Sequence, residues 1–183
     1  MMLLGIKKTL NFCLETLLTV VMTVLVLDVV WQVFTRQMSK LFPTFIQPSD
    51  WTEELATFSM MWVGMLGASV ALNRGSHLGI DFVVSKFSLR TRLMTEIFTF
   101  LCIGLFSLFG MFLGGMYLVG RTLELGQMTP ALKIPMGYVY LAVPISGFFL
   151  VFYSIELLAE RVRSLRSAPR GVKAEAQARA TLD

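Results

Sequence analysis

A chain of 183 residues that is 55% hydrophobic and only 15% charged, with a mean hydropathy of +0.69, holds more apolar material than a soluble domain of that size buries. The formal net charge of +4 and a pI near 9.3 reflect basic residues gathered beside the apolar stretches, which is a pattern of membrane topology and not of nucleic-acid binding. Both cysteines, Cys13 and Cys102, lie inside apolar stretches, which excludes a disulfide framework and a metal-ligand spacing.

The apolar residues fall into four stretches, residues 10–34, 53–72, 93–120 and 136–159. Each is at or above the roughly 20 residues that cross a hydrocarbon core as helix. The expected fold is therefore an all-α membrane protein with four transmembrane helices, occupying residues 1–160, followed by a tail over 161–183.

The first stretch follows Lys7 and Lys8, but it is too long for a signal peptide and no small-x-small cleavage site precedes Thr35, so it reads as a retained signal anchor. It carries two acids. Glu15 lies within two turns of Lys7 and Lys8 and is placed to snorkel to the inner interface. Asp28 is deeper, about 12 Å along the helix from Arg36. The preferred reading of Asp28 is a buried contact with a structural partner, and the alternative is a role in ion passage.

The loop over 36–50 contains Pro43 and Pro48, and Asp50 and Glu53 have the spacing of a capping box that opens the second span. Glu53 and Glu54 sit in the first turn, where the helix dipole accounts for one acid but does not require two. Adjacent helical residues point about 100° apart, so one acid is available for a basic group, and Arg36 at the same depth is the nearest intrachain candidate. Trp51 is an interfacial aromatic at this helix start, while Trp62 falls near mid-membrane, where its indole N–H needs an acceptor in the bundle or on a partner.

After the second span, residues 73–79 break the helix. Ile80, Val83, Val84 and Phe87 then share one face while Asp81, Ser85 and Ser88 share another, which predicts a short amphipathic interfacial helix over 78–88. The third span is rich in small residues, including the GxxxG pair Gly110 and Gly114. The loop over 123–135 brings Pro130 and Pro135, the latter suited to the first turn of the last span, which Pro144 is expected to kink. The tail from Arg161 is basic and lacks apolar residues that could pack, so it is expected to be mobile.

Orientation follows from the basic residues. Lys7, Lys8, Arg74, Lys86, Arg90, Arg92 and six residues from Arg161 onward fall on one side, leaving only Arg36, Lys40, Arg121 and Lys133 on the other. Both termini are thus expected in the cytoplasm, with Trp31, Trp51, Tyr117, Tyr138 and Tyr140 near the outer boundary. A bis-histidine haem anchor needs two intramembrane histidines, and the sole histidine, His77, is in a loop. No cofactor, metal site or enzyme active site is expected.

Several motifs, taken in order along the spans, resemble one family. Gln32-Val33-Phe34-Thr35-Arg36 closes the first span, Trp51-Thr52-Glu53-Glu54-Leu55-Ala56 opens the second, and Trp62-Val63-Gly64-Met65-Leu66-Gly67-Ala68 lies within it. Asn73-Arg74-Gly75-Ser76-His77-Leu78-Gly79-Ile80-Asp81 follows, then Thr129-Pro130-Ala131-Leu132-Lys133-Ile134-Pro135. Together they are similar to the small membrane, or Q, subunit of bacterial tripartite ATP-independent periplasmic (TRAP) transporters. Members commonly carry an acid where Ser76 stands and a base where Asn73 stands, two departures in that loop.

The resemblance implies a scaffold subunit in the bacterial inner membrane. It would pair with a large, many-helix subunit that moves an organic acid with sodium, supplied by a periplasmic substrate-binding protein. On that reading Asp28, Arg36, Trp51, Glu53, Glu54, Trp62, Arg74, His77, Asp81 and Pro130 are the candidate interface or structural residues, and the remaining partner is the lipid bilayer. Two alternatives stay open: an autonomous homo-oligomeric transporter coupled through Asp28, and a membrane anchor for an enzyme.

Overall fold

The computed structural model describes residues 2–41, 50–74 and 89–167. Its elements are α1 (Met2–Leu41), α2 (Asp50–Asn73), α3 (Leu89–Phe106), a π-helical stretch (Ser107–Leu113), α4 (Gly114–Glu124), α5 (Met136–Tyr140) and α6 (Ala142–Ser167). They compose four helices long and apolar enough to cross a membrane, Lys8–Leu41, Asp50–Asn73, Leu93–Glu124 and Met136–Ser164. The expected interfacial helix over 78–88 lies outside the described residues. Of the tail expected to be mobile from Arg161, residues 161–167 instead continue α6, where Arg161 pairs with Glu96, and the rest lies outside the described residues.

Helix ends differ from expectation for local reasons. α1 runs through Arg36 to Leu41, because nothing between Gln37 and Leu41 breaks a helix and the first proline is Pro43. Asp50 and Glu53 both fall in the first turn of α2, whose described residues begin at Asp50. Pro135 is the N-cap of α5, with Met136 the first helical residue. α4 closes with a Schellman motif: Gly126 adopts φ +60°, its N–H donates to Leu123 O at 3.1 Å, and the Gln127 N–H donates to Thr122 O at 3.3 Å. Pro144 acts where a proline should, because its ring excludes the carbonyl four residues back, at Tyr140, and the helix is interrupted at Leu141.

The spans pack in the order α1, α2, α6, α3–α4, so that α6 is flanked by α2 on one side and by α3 with the π-helical stretch on the other. The covered side of α1 is a seam of Asn11, Leu14, Leu18, Val21, Leu25, Asp28, Gln32, Thr35 and Ser39, spaced alternately three and four apart as in a coiled coil. The row leaves its ends bare: 6% of the most apolar window of the first span is buried, against 39% in the last.

Close helix contact depends on small residues where no hydrophobic drive exists. A methyl group at Gly147 of α6 would stand 2.8 Å from Phe112 N and 3.0 Å from Met111 C, and one at Gly115 would stand 2.9 Å from Pro144 Cδ. The GxxxG pair does not share this role, since both Gly110 and Gly114 are exposed and meet only atoms of their own helix. The core between the spans is formed by Leu14, Leu66, Val70, Leu72, Phe100, Leu150 and the fully buried Tyr153. Polar links cross it sparingly: Tyr153 Oη donates to Asn11 Oδ1 at 2.6 Å, and Ser69 Oγ donates to Ser146 O at 3.2 Å.

Candidate functional site

Charged contacts collect at the two ends of the row. At one end Arg74 pairs with Glu15 at 3.0 Å and Arg161 with Glu96 at 2.8 Å, tying α2 to α1 and α6 to α3. The Glu96–Arg161 pair is the better shielded, with the carboxylate side chain only 10% exposed. Glu15, placed by sequence near the basic N-terminal end, thus finds its partner on the next helix.

The other end is organised by the two acids of α2. Glu53 lies 3.7 Å from Arg36, with both side chains more than half exposed, so this pair contributes little. That geometry removes the basis for treating it as a strong, dehydrated ion pair. Glu54 turns elsewhere. Its Oε1 accepts the Ala131 N–H at 3.0 Å and its Oε2 accepts the Leu132 N–H at 2.8 Å, so one carboxylate grips the backbone of a loop 77 residues away. Charge-assisted bonds of this kind are shorter and stronger than neutral ones.

The gripped loop is internally braced. Thr129, almost fully buried, accepts the Ile134 N–H on Oγ1 at 3.0 Å, while its own N–H donates to Ile134 O and its carbonyl accepts the Lys133 N–H. Met136 N–H donates to Gln127 O at 2.9 Å, and Met128 bridges Pro135. Lys133 is held at φ +53°, a left-handed conformation uncommon outside glycine, which this network over-determines. Pro130 and Ala131 thereby face the acidic cleft of Asp50, Glu53 and Glu54.

A second feature lies along α1 and α2. Leu27, Trp31 and Phe34 of α1 with Trp51 and Leu55 of α2 wall an open apolar groove of about 710 Å³ that has Asp28 in its lining. Trp51 is 44% exposed and belongs to this groove as well as to the helix start. Trp62 is half-buried and packs against the core cluster. His77 and Asp81 lie outside the described residues.

The structure therefore brings Arg36, Glu53, Glu54 and Pro130 to one end, sets Trp51 and Asp28 along the adjoining groove, and places Arg74 at the far end. Sequence reasoning missed the Glu54 grip, the part played by Thr129, and the Tyr153–Asn11 link. Only the first had a signal, the second acid that the helix dipole did not require. Among the described residues no three His, Cys, Asp or Glu side chains converge on a point that could hold a metal ion.

Four apolar spans in an open row, charged mainly at the ends and bare along the first helix, define a multi-pass membrane protein with faces left for further packing. The profile of the family described as tripartite ATP-independent periplasmic transporters, DctQ component, matches residues 14–164, and the chain belongs to that family. It is 26% identical over 160 residues to the sialic acid TRAP transporter small permease protein SiaQ of Vibrio cholerae, covering 87% of each chain. It is 27% identical over 109 residues to the C4-dicarboxylate TRAP transporter small permease protein DctQ of Rhodobacter capsulatus, covering 58% of this chain and 47% of the relative. A shorter match of 83 residues, 39% identical, covers 43% of this chain but only 12% of the sialic acid TRAP transporter permease protein SiaT of Haemophilus influenzae.

Proposed function

We propose that this chain is the scaffold subunit of a TRAP uptake system in the bacterial inner membrane, pairing with a large permease subunit that carries the substrate and sodium sites. The observation that carries the reading is the family match over residues 14–164, and the row is compatible with it, since a first span with 6% of its apolar window buried leaves a face that lipid or a membrane partner covers. The match to 12% of a much longer permease chain supports the same partner, because there a segment like this one is covalently joined to further permease sequence.

Both termini lie in the cytoplasm on this reading, which follows from the basic residues at the Lys8, Arg74 and Arg161 end of the row. The braced loop and the Glu54 grip then face the periplasm, where a soluble substrate-binding protein delivers its ligand. The ligand class is an organic acid, in keeping with the sialic acid and C4-dicarboxylate relatives. No substrate site is assigned to this chain, whose core is apolar at Leu66, Leu72, Phe100 and Leu150.

Reconstitution tests this directly. Proteoliposomes holding the chain with its large permease subunit, supplied with the binding protein and a sodium gradient, are expected to take up labelled acid. Either subunit alone is expected to give none. Uptake by this chain alone would overturn the scaffold reading in favour of an autonomous transporter.

A further inference from the structure

Asp28 occupies a seam position in the middle of the first span, is 7% exposed, and leaves its Oδ2 without a hydrogen-bond partner among the described residues. Gln32, one turn further along the seam, does not satisfy it. A carboxylate at this depth is costly unless a donor meets it, and an apolar side chain of similar size would pack the seam at less cost. The groove beside Asp28 is open, apolar and aromatic, with room for several side chains in its 710 Å³. An acyl chain would fill such a groove but bring no donor. A headgroup amine would have to descend about 12 Å below the level of Arg36, given eight residues at 1.5 Å each.

We infer that the Asp28 groove receives a transmembrane helix of the large permease subunit, apolar along the face that meets Leu27, Trp31 and Leu55 and carrying one hydrogen-bond donor at the depth of Asp28. The inference rests on the subunit reading above and adds to it the face and the chemistry of the contact. A helix supplies both requirements at once: its apolar side chains enter the groove, and a hydroxyl, amide, imidazole or cationic side chain at that depth meets the Asp28 carboxylate where the residue lines the groove, a contact that turns the enclosed Oδ2 toward the donor. The position of the groove at the bare end of the helix row leaves space for that neighbour, since among the described residues α1 packs extensively only against α2.

The test uses the chain co-expressed with its large subunit in bacterial membranes. A photo-crosslinking residue at Leu27, in the groove, is expected to join the large subunit. The same residue at Met22, about 140° away around α1 by helical geometry, is expected not to. Asp28→Leu is expected to lower recovery of the complex about tenfold, whereas Asp28→Asn, which keeps an acceptor oxygen, retains more complex than Asp28→Leu. Expressed without the large subunit, Asp28→Leu is expected to be recovered as well as the unsubstituted chain, which separates docking from misfolding. Crosslinks from Leu27 to a second copy of the chain or only to lipid, or undiminished recovery of Asp28→Leu complexes, would overturn the inference. Failure of the unsubstituted chain to co-purify overturns the subunit reading itself, while co-purification with crosslinks only from Met22 overturns the groove alone.

Discussion

Gly147→Ala places a methyl group where α6 meets the π-helical stretch. The added carbon would stand 2.8 Å from Phe112 N, 2.9 Å from Met111 Cβ and 3.0 Å from Met111 C. Two of these are backbone atoms, which cannot swing aside as a side-chain end can, so the helices must separate or twist. Overpacking of this kind costs about 1–3 kcal/mol, and the rigid neighbours put Gly147 at the upper end. Replacing a helical glycine by alanine returns about 1 kcal/mol through helix propensity, leaving a net loss of about 2 kcal/mol. For a chain of this size that corresponds to a fall of about 4–8 °C in the melting midpoint. Gly64→Ala is the matched control, because a methyl group there meets nothing within 4 Å. With propensity alone acting, its midpoint should rise by about 1–4 °C. Thermal unfolding of both variants in detergent, followed by size-exclusion chromatography, measures the two signs. A Gly147→Ala protein as stable as Gly64→Ala would refute the close approach of α6 to the third span.

Glu54→Gln should loosen the 127–135 loop, because an amide nitrogen cannot accept one of the two backbone N–H groups now bound, while Glu53→Gln should leave it intact; limited proteolysis at Lys133 reads the difference. Tyr153→Phe removes the donor to Asn11 from a fully buried site and should cost about 1–2 kcal/mol in thermal unfolding, with no change in complex composition. Trp62→Phe should lower the yield of assembled complex more than it alters substrate preference in uptake competition, because Trp62 packs against the core cluster. In a background lacking Cys13 and Cys102, single cysteines at Lys40 or Gln127 should react with an impermeant reagent applied outside, and one at Arg74 should not.

What the chain determines locally is its set of spans. In lipid each backbone group must be satisfied within its own segment, so a long apolar stretch commits to helix without reference to any other part of the molecule. Terminations are local in the same way: Pro144 interrupts the last span at Leu141, and Leu125-Gly126 closes the third. The doubled acid at Glu53 and Glu54 signalled an extra contact, since one helix end needs only one charge, but nothing near it in sequence pointed to Ala131 and Leu132.

Tertiary structure decided which helix lies beside which. Leu, Val and Phe are apolar toward every neighbour and toward lipid alike, so their order cannot specify whether four spans form a closed bundle or an open row. That choice rests on where backbones can approach, at Gly115 and Gly147 and not at the GxxxG pair, and on a few directional links such as Tyr153 to Asn11. Both are properties of residues far apart in the chain that become meaningful only once the helices are aligned. The same holds for Asp28: its depth was legible from its distance to Arg36, but its place on the seam, with one oxygen unmatched beside an open groove, follows from the packing of α1 on α2.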